Sequence, residues 1–299
     1  MKTLFVSGKF INLPASNKTN KFQPIMGQFP FKYQMDSIKA IACEAIVPMR
    51  HEANERSEMV TQLLWGEPIE VIESNGNWEL VRSMVDEYQG WVNRIMIKEL
   101  SNEEFTRLID ASFTIVAKDT LCLFDSNTHP NLLPTGSFFY HIDSNKAKAA
   151  EEFNRVIQPI IENKPACHSV VDRAEAFINS PYLWGGKTTY GIDCSGLVQI
   201  VFRTIGTYLP RDASQQMQYG TTISFINEAL PGDLAFFDND EGNIIHVGII
   251  TGNGKIIHAS GRVRKDNIDH QGIYNTESKN YSHKLRIIKR LSKLKTFWL

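Results

Sequence analysis

The feature that most constrains this chain is the stretch Tyr190-Gly191-Ile192-Asp193-Cys194-Ser195-Gly196-Leu197-Val198. Glycines and an aspartate lead into a cysteine, and the apolar run Leu197, Val198, Ile200, Val201 and Phe202 follows. That spacing predicts a helix from near Cys194 to about Gly206, with Asp193 as a good N-cap type. A thiol in a first turn meets unpaired backbone N–H groups and the positive end of the helix dipole. Both favour the thiolate, the nucleophilic form. Alone, the stretch reads equally as a nucleophile on a helix N-terminus or as a buried structural cysteine beside a turn.

The neighbourhood decides between these. Upstream, Val170 to Ile178 has amphipathic helical spacing and stops at Asn179-Ser180-Pro181, as a chain does before proline. Downstream come strand-like runs at 233–237, 244–250 and 255–259, the last two joined by an Asn253-Gly254 hairpin turn, and a final strand at 285–290. Counting from that turn sets Gly252 opposite Lys255 and His258 opposite Ile249, with His246 three positions further along its strand. The pair is not directly opposed, but a bulge or a splayed end brings the rings together. Cys194, His246 and His258 then supply the nucleophile, base and orienting roles that acyl transfer needs. A zinc site is disfavoured, because no HExxH and no third histidine or carboxylate stands at suggestive spacing, and no metal or cofactor is expected.

The N-terminal half has a different texture. Residues 1–40 read as an extended lead-in. Short β-type runs follow at 45–50, 68–73, 78–82 and 90–92, with a tight hairpin at Asn75-Gly76-Asn77, and suggest a small barrel over 41–100. Their order resembles a bacterial SH3 domain, in which Trp65, Trp78 and Trp91 are expected as core aromatics. Ser101 to Asp110 opens with a capping residue and an acidic turn, so a short helix is expected. The β-rich patches at 113–117, 121–124 and 136–140 suggest a second, degenerate SH3-like barrel within 101–160. Lys146 to Glu162 reads as an inter-domain helix up to Pro159. The remaining domain spans 165–299.

A length of 299 residues fits two or three domains, and a 42% hydrophobic fraction supports real cores. The net charge of −1 gives no electrostatic case for nucleic acid or an anionic membrane. Cys43, Cys122, Cys167 and Cys194 show no CxxC spacing, so neither zinc ribbons nor a disulfide framework are indicated. No apolar run approaches a membrane span, and the first residues lack a secretory apolar core. The expectation is a cytoplasmic monomer, or a periplasmic or secreted one had a leader been removed.

Five blocks together resemble the NlpC/P60 cysteine peptidases: Tyr182-Leu183-Trp184-Gly185-Gly186, Asp193-Cys194-Ser195-Gly196-Leu197, Pro231-Gly232-Asp233-Leu234, His246-Val247-Gly248-Ile249 and Ile257-His258-Ala259. The resemblance implies an α+β, papain-like domain in which Cys194 is the nucleophile, His246 the general base and acid, and His258 the orienting member. It implies that Tyr182 helps hold the oxyanion site. Together with SH3-like domains, it is similar to the branch of γ-D-glutamyl-L-diamino acid endopeptidases that recycle murein stem peptides with a free N-terminal L-Ala. By that resemblance Asp193, Tyr88 and Glu52 bind the substrate amine, and Ser195, Arg211 and Asp212 lie near the D-glutamate carboxylate. The chain departs from the branch's Arg-Asp-Ser at Arg211-Asp212-Ala213, so either Ser214 substitutes or one carboxylate hydrogen bond is missing.

Each assignment has a plainer counterpart: Asp193 as a simple N-cap, Glu52 as a solvated loop charge, Tyr88 as a barrel-surface residue, Arg211 as a structural ion-pair partner. Three rivals stand beside the peptidase reading: a non-catalytic peptidoglycan-binding protein, a hydrolase of intact wall, and an amidase or acyltransferase on the same fold.

Overall fold

The computed structural model describes residues 3–6, 9–12, 37–122, 131–141 and 169–291. Strands β1 (Thr3–Val6) and β2 (Lys9–Asn12) pair antiparallel, so the predicted extended lead-in begins with a hairpin.

A seven-stranded sheet then joins β3 (Ile38–Ala42), β4 (Ile46–Arg50), β5 (Met59–Leu64), β6 (Pro68–Asn75), β7 (Trp78–Ser83), β8 (Gln89–Asn93) and β9 (Ile97–Leu100) in the order β5-β4-β8-β7-β6-β3-β9. Its interior is aliphatic, built from residues such as Val47, Met49, Leu63, Ile69, Val81 and Val92. The predicted tryptophan core is corrected here: Trp65, Trp78 and Trp91 are only half-buried. Along β7 and β8 the pleat alternates, so turning Val81 and Val92 inward turns Trp91 out.

Helix α1 (Asn102–Asp110) carries the expected capping box between Ser101 and Glu104. Beyond it, β10 (Ser112–Ile115) pairs with β13 (Phe138–His141), and β11 (Thr120–Cys122) with β12 (Asn131–Leu133). Among the described residues these are two separate two-stranded sheets, and the rest of the segment expected to hold a second barrel, 123–130 and 142–160, lies outside the described residues. The helix predicted over Lys146 to Glu162 lies outside the described residues.

In the C-terminal domain, helix α2 (Val170–Glu175) precedes a short pair, β14 (Lys187–Thr188) and β15 (Gly191–Ile192), and then helix α3 (Cys194–Arg203). Helix α4 (Ala213–Gln216) follows. Strands β16 (Thr221–Ile223), β17 (Leu234–Asp238), β18 (Ile244–Gly252), β19 (Lys255–Ser260), β20 (Arg262–Ile268), β21 (Gly272–Asn275) and β22 (Asn280–Arg290) form one antiparallel sheet. Because β22 pairs with both β17 and β21, the last six strands close on themselves. The outer face packs Val247, Ile249, Ile257 and Ala259 against Leu197, Val198 and Val201 of α3. The inner face holds a second core of Ala235, Phe237, Ile250, Ile256, Ile268 and Ile273. Among the described residues no helix is long and apolar enough to cross a membrane.

The N-terminal barrel docks on the C-terminal domain through buried polar contacts. Arg203 Nη1 donates to Glu67 Oε1 at 2.6 Å, and Lys187 Nζ lies 3.3 Å from the same oxygen. Arg211 Nε donates to Thr61 Oγ1, Lys187 N to Gln62 Oε1, and Gln199 Nε2 to Asp86 Oδ2. Gly185 lies at φ +77°, and a Cβ there would sit 2.4 Å from the Met59 carbonyl oxygen of β5. This close approach explains why the Trp-Gly-Gly block ends in glycines.

Candidate active site

The site is assembled at the N-terminus of α3. Asp193 caps the helix as expected: its Oδ1 accepts from Gly196 N at 2.7 Å, a contact of about 1 kcal/mol. The carboxylate does more than cap. It also accepts from Gly185 N, from Ser195 Oγ, and from both terminal nitrogens of Arg211. Ser195 Oγ in turn accepts from Arg211 Nη1 at 2.8 Å. Asp193, Ser195 and Arg211 are therefore one buried, mutually satisfied network, and Thr61 of the barrel completes it.

Cys194 is 8% exposed. The sequence favours a thiolate, and the structure reverses this. Burial, then the Asp193 charge, pushes the thiol from its ordinary 9.0 up to about 11, against the lowering pull of the Val247 and Ser195 N–H groups and of Arg211. That rise corresponds to about 3 kcal/mol. A helix dipole contributes about 1 kcal/mol, so desolvation wins. Tyr182, whose phenol is pushed up to about 12 by burial and by Cys194 and Asp193, stays protonated beside the sulfur as an O–H donor.

The histidines meet as the sequence required, by a route the residue count missed. A bulge between Ile250 and Gly252 moves the register by one, so His258 faces Gly248 rather than Ile249. His246 is then two residues from that position and on the same face. Gly248 makes the approach possible, since a Cβ there would sit 3.0 Å from the Cβ of His258. His246 Nε2 and His258 Nδ1 are 2.9 Å apart, and both residues are buried. His258 Nε2 lies 3.1 Å from Asp266 Oδ2 on β20.

This chain fixes the protons. Burial pushes the Asp266 carboxyl up, but hydrogen bonds from His258 and Arg264 outweigh it and hold it below the usual range. As an acceptor only, Asp266 takes the His258 Nε2 proton. With Nε2–H of His258 directed at Asp266, its Nδ1 is the acceptor for the hydrogen bond from His246 Nε2–H. The bare Nδ1 of His246 is left as the base. Burial, with His283 and His258 nearby, keeps this imidazole well below its ordinary 6.5. The resting pair is thus thiol and neutral imidazole.

No hydrogen bond joins Cys194 Sγ to His246; the sulfur instead faces the N–H of Val247, the next residue of β18. At this point β18 is irregular. Phe237 pairs with His246 and Asp238 with Ile244, which leaves Ile245 bulged and exposed, and bulges re-aim neighbouring side chains.

A third imidazole is also present. His283 on β22 stacks on His246, with ring centroids 4.1 Å apart. It corrects the expectation that no third histidine or carboxylate stands near the pair. Neither His283 nor Asp266 was visible to local spacing, since each arrives on a different strand of the closed sheet. Pairing of β20 with β19 carries in Asp266, and β22, paired with β17, carries in His283.

The remaining candidates divide. Tyr88 lines a cavity of about 780 Å³ between the two domains, with Asp86, Tyr208, Leu209 and Tyr219. Burial and the charges of Asp212, Asp86 and Glu58 raise its phenol, against the pull of Arg211, so Asp212 is placed near it. Glu52 is not brought into this group. It is exposed on its loop, held by Asn54 and Ser57, while Glu58 of the same loop accepts from Trp184 Nε1. Ala213 is buried in the core while Ser214 is exposed, so Ser214 does not replace the missing hydroxyl.

Comparison with known proteins agrees with this geometry. The NlpC/P60 family matches residues 179–286, a span that holds Cys194, His246, His258, Asp266 and His283. The bacterial dipeptidyl-peptidase Sh3 domain matches residues 49–94. The chain carries an NlpC/P60 domain and a bacterial SH3 domain. Relatives called gamma-D-glutamyl-L-lysine dipeptidyl-peptidase include one from Bacillus cereus, 28% identical over 68% of this chain and 68% of that protein. Another, from Bacillus subtilis, is 27% identical over 67% and 71%. The fold of an NlpC/P60 family protein from Bacillus cereus superposes with a TM-score of 0.66 at 18% identity, over 84% of this chain and 99% of that one. The protein is accordingly a hydrolase of the peptidase class, with its SH3 domain packed beside the helix that carries the cysteine.

Proposed function

We infer that this protein is a cysteine endopeptidase that hydrolyses the γ-D-glutamyl–diamino acid bond of murein stem peptides with a free N-terminal L-Ala, acting in cytoplasmic peptide recycling. The observation that carries the reading is the proton chain Asp266–His258–His246, which leaves His246 Nδ1 as a lone-pair base on the strand whose backbone meets Cys194 Sγ.

Substrate binding closes the remaining gap, since catalytic hydrogen bonds tighten in the Michaelis complex. His246 Nδ1 takes the thiol proton, and Sγ attacks the γ-carbonyl carbon. The Tyr182 hydroxyl donates to the developing oxyanion. His246 returns its proton to the departing amine as the C–N bond breaks. Water, deprotonated by the same nitrogen, then attacks the thioester and restores the thiol. Orientation of His246 by His258 and Asp266 keeps the reactive tautomer in place throughout.

The names of the Bacillus relatives support the substrate class. The SH3 domain supports the free-amine requirement. Glu58 of the barrel and Asp212 opposite place acidic charge about Tyr88 near Arg211, whereas Asp86 is already matched by Gln199, Lys187 and Arg203. A substrate ammonium suits that acidic charge, and an acylated terminus leaves it uncompensated. Asp193 has its own oxygens occupied, so its role toward the amine is one of charge. The test compares L-Ala-γ-D-Glu-diaminopimelate with its N-acetylated form. Cleavage of the free peptide alone supports the reading, and equal rates contradict it.

A further inference from the structure

We propose that His246, His258 and His283 form a binding site for a borderline transition-metal cation of the Zn2+ class, and that its occupation switches off the base of this enzyme.

The three imidazoles each offer a nitrogen, and these atoms lie within 4.8 Å of one another. Among the described residues this is the one group of its kind. Three histidines with an open fourth position are a known zinc set, with Zn–N of about 2.0–2.1 Å, which places nitrogen pairs about 3.3 Å apart in a tetrahedron. His246 Nε2 and His258 Nδ1, at 2.9 Å, need only a slight opening.

The outer contacts match what a metal site requires. Ligating histidines characteristically hand their other N–H to a carboxylate or another acceptor. His258 does so through Nε2 to Asp266, itself held by Arg264. His283 Nδ1 is 2.9 Å from Ser282 Oγ, which leaves Nε2 to face the cluster. Phe237 packs against both His246 and His283 and walls one side with apolar surface. His246 and His258 are buried while His283 is half-buried, so the site opens toward solvent on the His283 side.

Switching follows from proton bookkeeping. At rest His246 carries its proton on Nε2. A cation bound at Nε2 moves that proton to Nδ1, and no proton leaves the protein. The lone pair that accepts the Cys194 proton is then gone. His258 and His283 keep the tautomers they already have. The binding half of this inference stands without the peptidase reading, whereas the switching half rests on it.

The test uses the untagged full chain with Cys194→Ala, so that no active-site thiol competes for the metal. Calorimetric titration with Zn2+ should show one saturable site, and adding His283→Gln should weaken it by more than about 100-fold, beyond the loss of an outer contact. No saturable site in Cys194→Ala, or affinity unchanged by His283→Gln, would overturn the proposal. If the double variant does not melt cooperatively, Co2+ added to Cys194→Ala decides. Strong tetrahedral visible absorption supports the site, and the weak spectrum of the aqueous ion contradicts it. In the native enzyme Zn2+ at the same concentrations should halt hydrolysis, and EDTA should restore it. Full occupancy with hydrolysis unchanged would refute the switch while leaving the binding site in place.

Discussion

Glu67 of the N-terminal barrel and Arg203 at the end of the catalytic helix meet at 2.6 Å, with neither side chain exposed by more than 1%. Lys187 shares the same carboxylate. One carboxylate oxygen thus meets two buried cations across the domain boundary, with the charge of buried Asp86 also acting on both. Burial pushes the Lys187 ammonium below its ordinary value, against the raising effect of Glu67. Glu67→Ala should therefore destabilise the whole protein by about 3–5 kcal/mol, the cost of stranding a buried charge. Denaturant unfolding checks this, and a change below about 1 kcal/mol would contradict a shared interface.

Gly185 tests the same interface from the backbone. Gly185→Ala adds a methyl that cannot fit against the Met59 carbonyl, at a φ that side chains avoid. The expected loss is more than about 1 kcal/mol, together with a raised KM as the barrel shifts away from Arg211. Unchanged stability and KM would show that the two domains are not held this closely.

Asp266 acts on the reaction through His258. Asp266→Asn should lower kcat by about 100-fold, the lower end of what general acid–base catalysis contributes, because the amide can present N–H where His258 needs an acceptor. KM should hold, since Asp266 contacts no substrate. A KM effect without a kcat effect would mark Asp266 as merely structural.

The buried histidines make stability fall in mild acid. A histidine held neutral in the fold and free to protonate when unfolded contributes stability that is complete above the unfolded value of 6.5. That contribution is lost as pH falls toward the folded value, about 4 for His283. Tm should therefore decline between pH 6.5 and 4, and His283→Gln should flatten the decline. A variant that melts with the native pH dependence would show that His283 does not carry it.

Much of this site was legible in the sequence because its pieces are local. An aspartate before Cys194, an apolar run after it and an Asn-Gly turn between two strands fix the cap, the helix and the hairpin. What escaped was long-range. One bulge at Thr251 re-registers His258 against Gly248, pairing of β20 with β19 carries Asp266 to His258, and β22, paired with β17, carries His283 to His246. The thiol's charge state escaped for a different reason. The helix start was visible, but the burial that outweighs it depends on the whole packed domain. The expected second barrel falls partly outside the described residues; within them, Phe113 and Phe138 do find each other on the paired strands β10 and β13.

The most direct test of the central claim is the rate of γ-glutamyl bond cleavage in L-Ala-γ-D-Glu-diaminopimelate by the Cys194→Ala protein, with binding of the same peptide measured in parallel. The account predicts retained binding and no detectable cleavage. Cleavage at the native rate would remove Cys194 as the nucleophile, and the proposed mechanism with it.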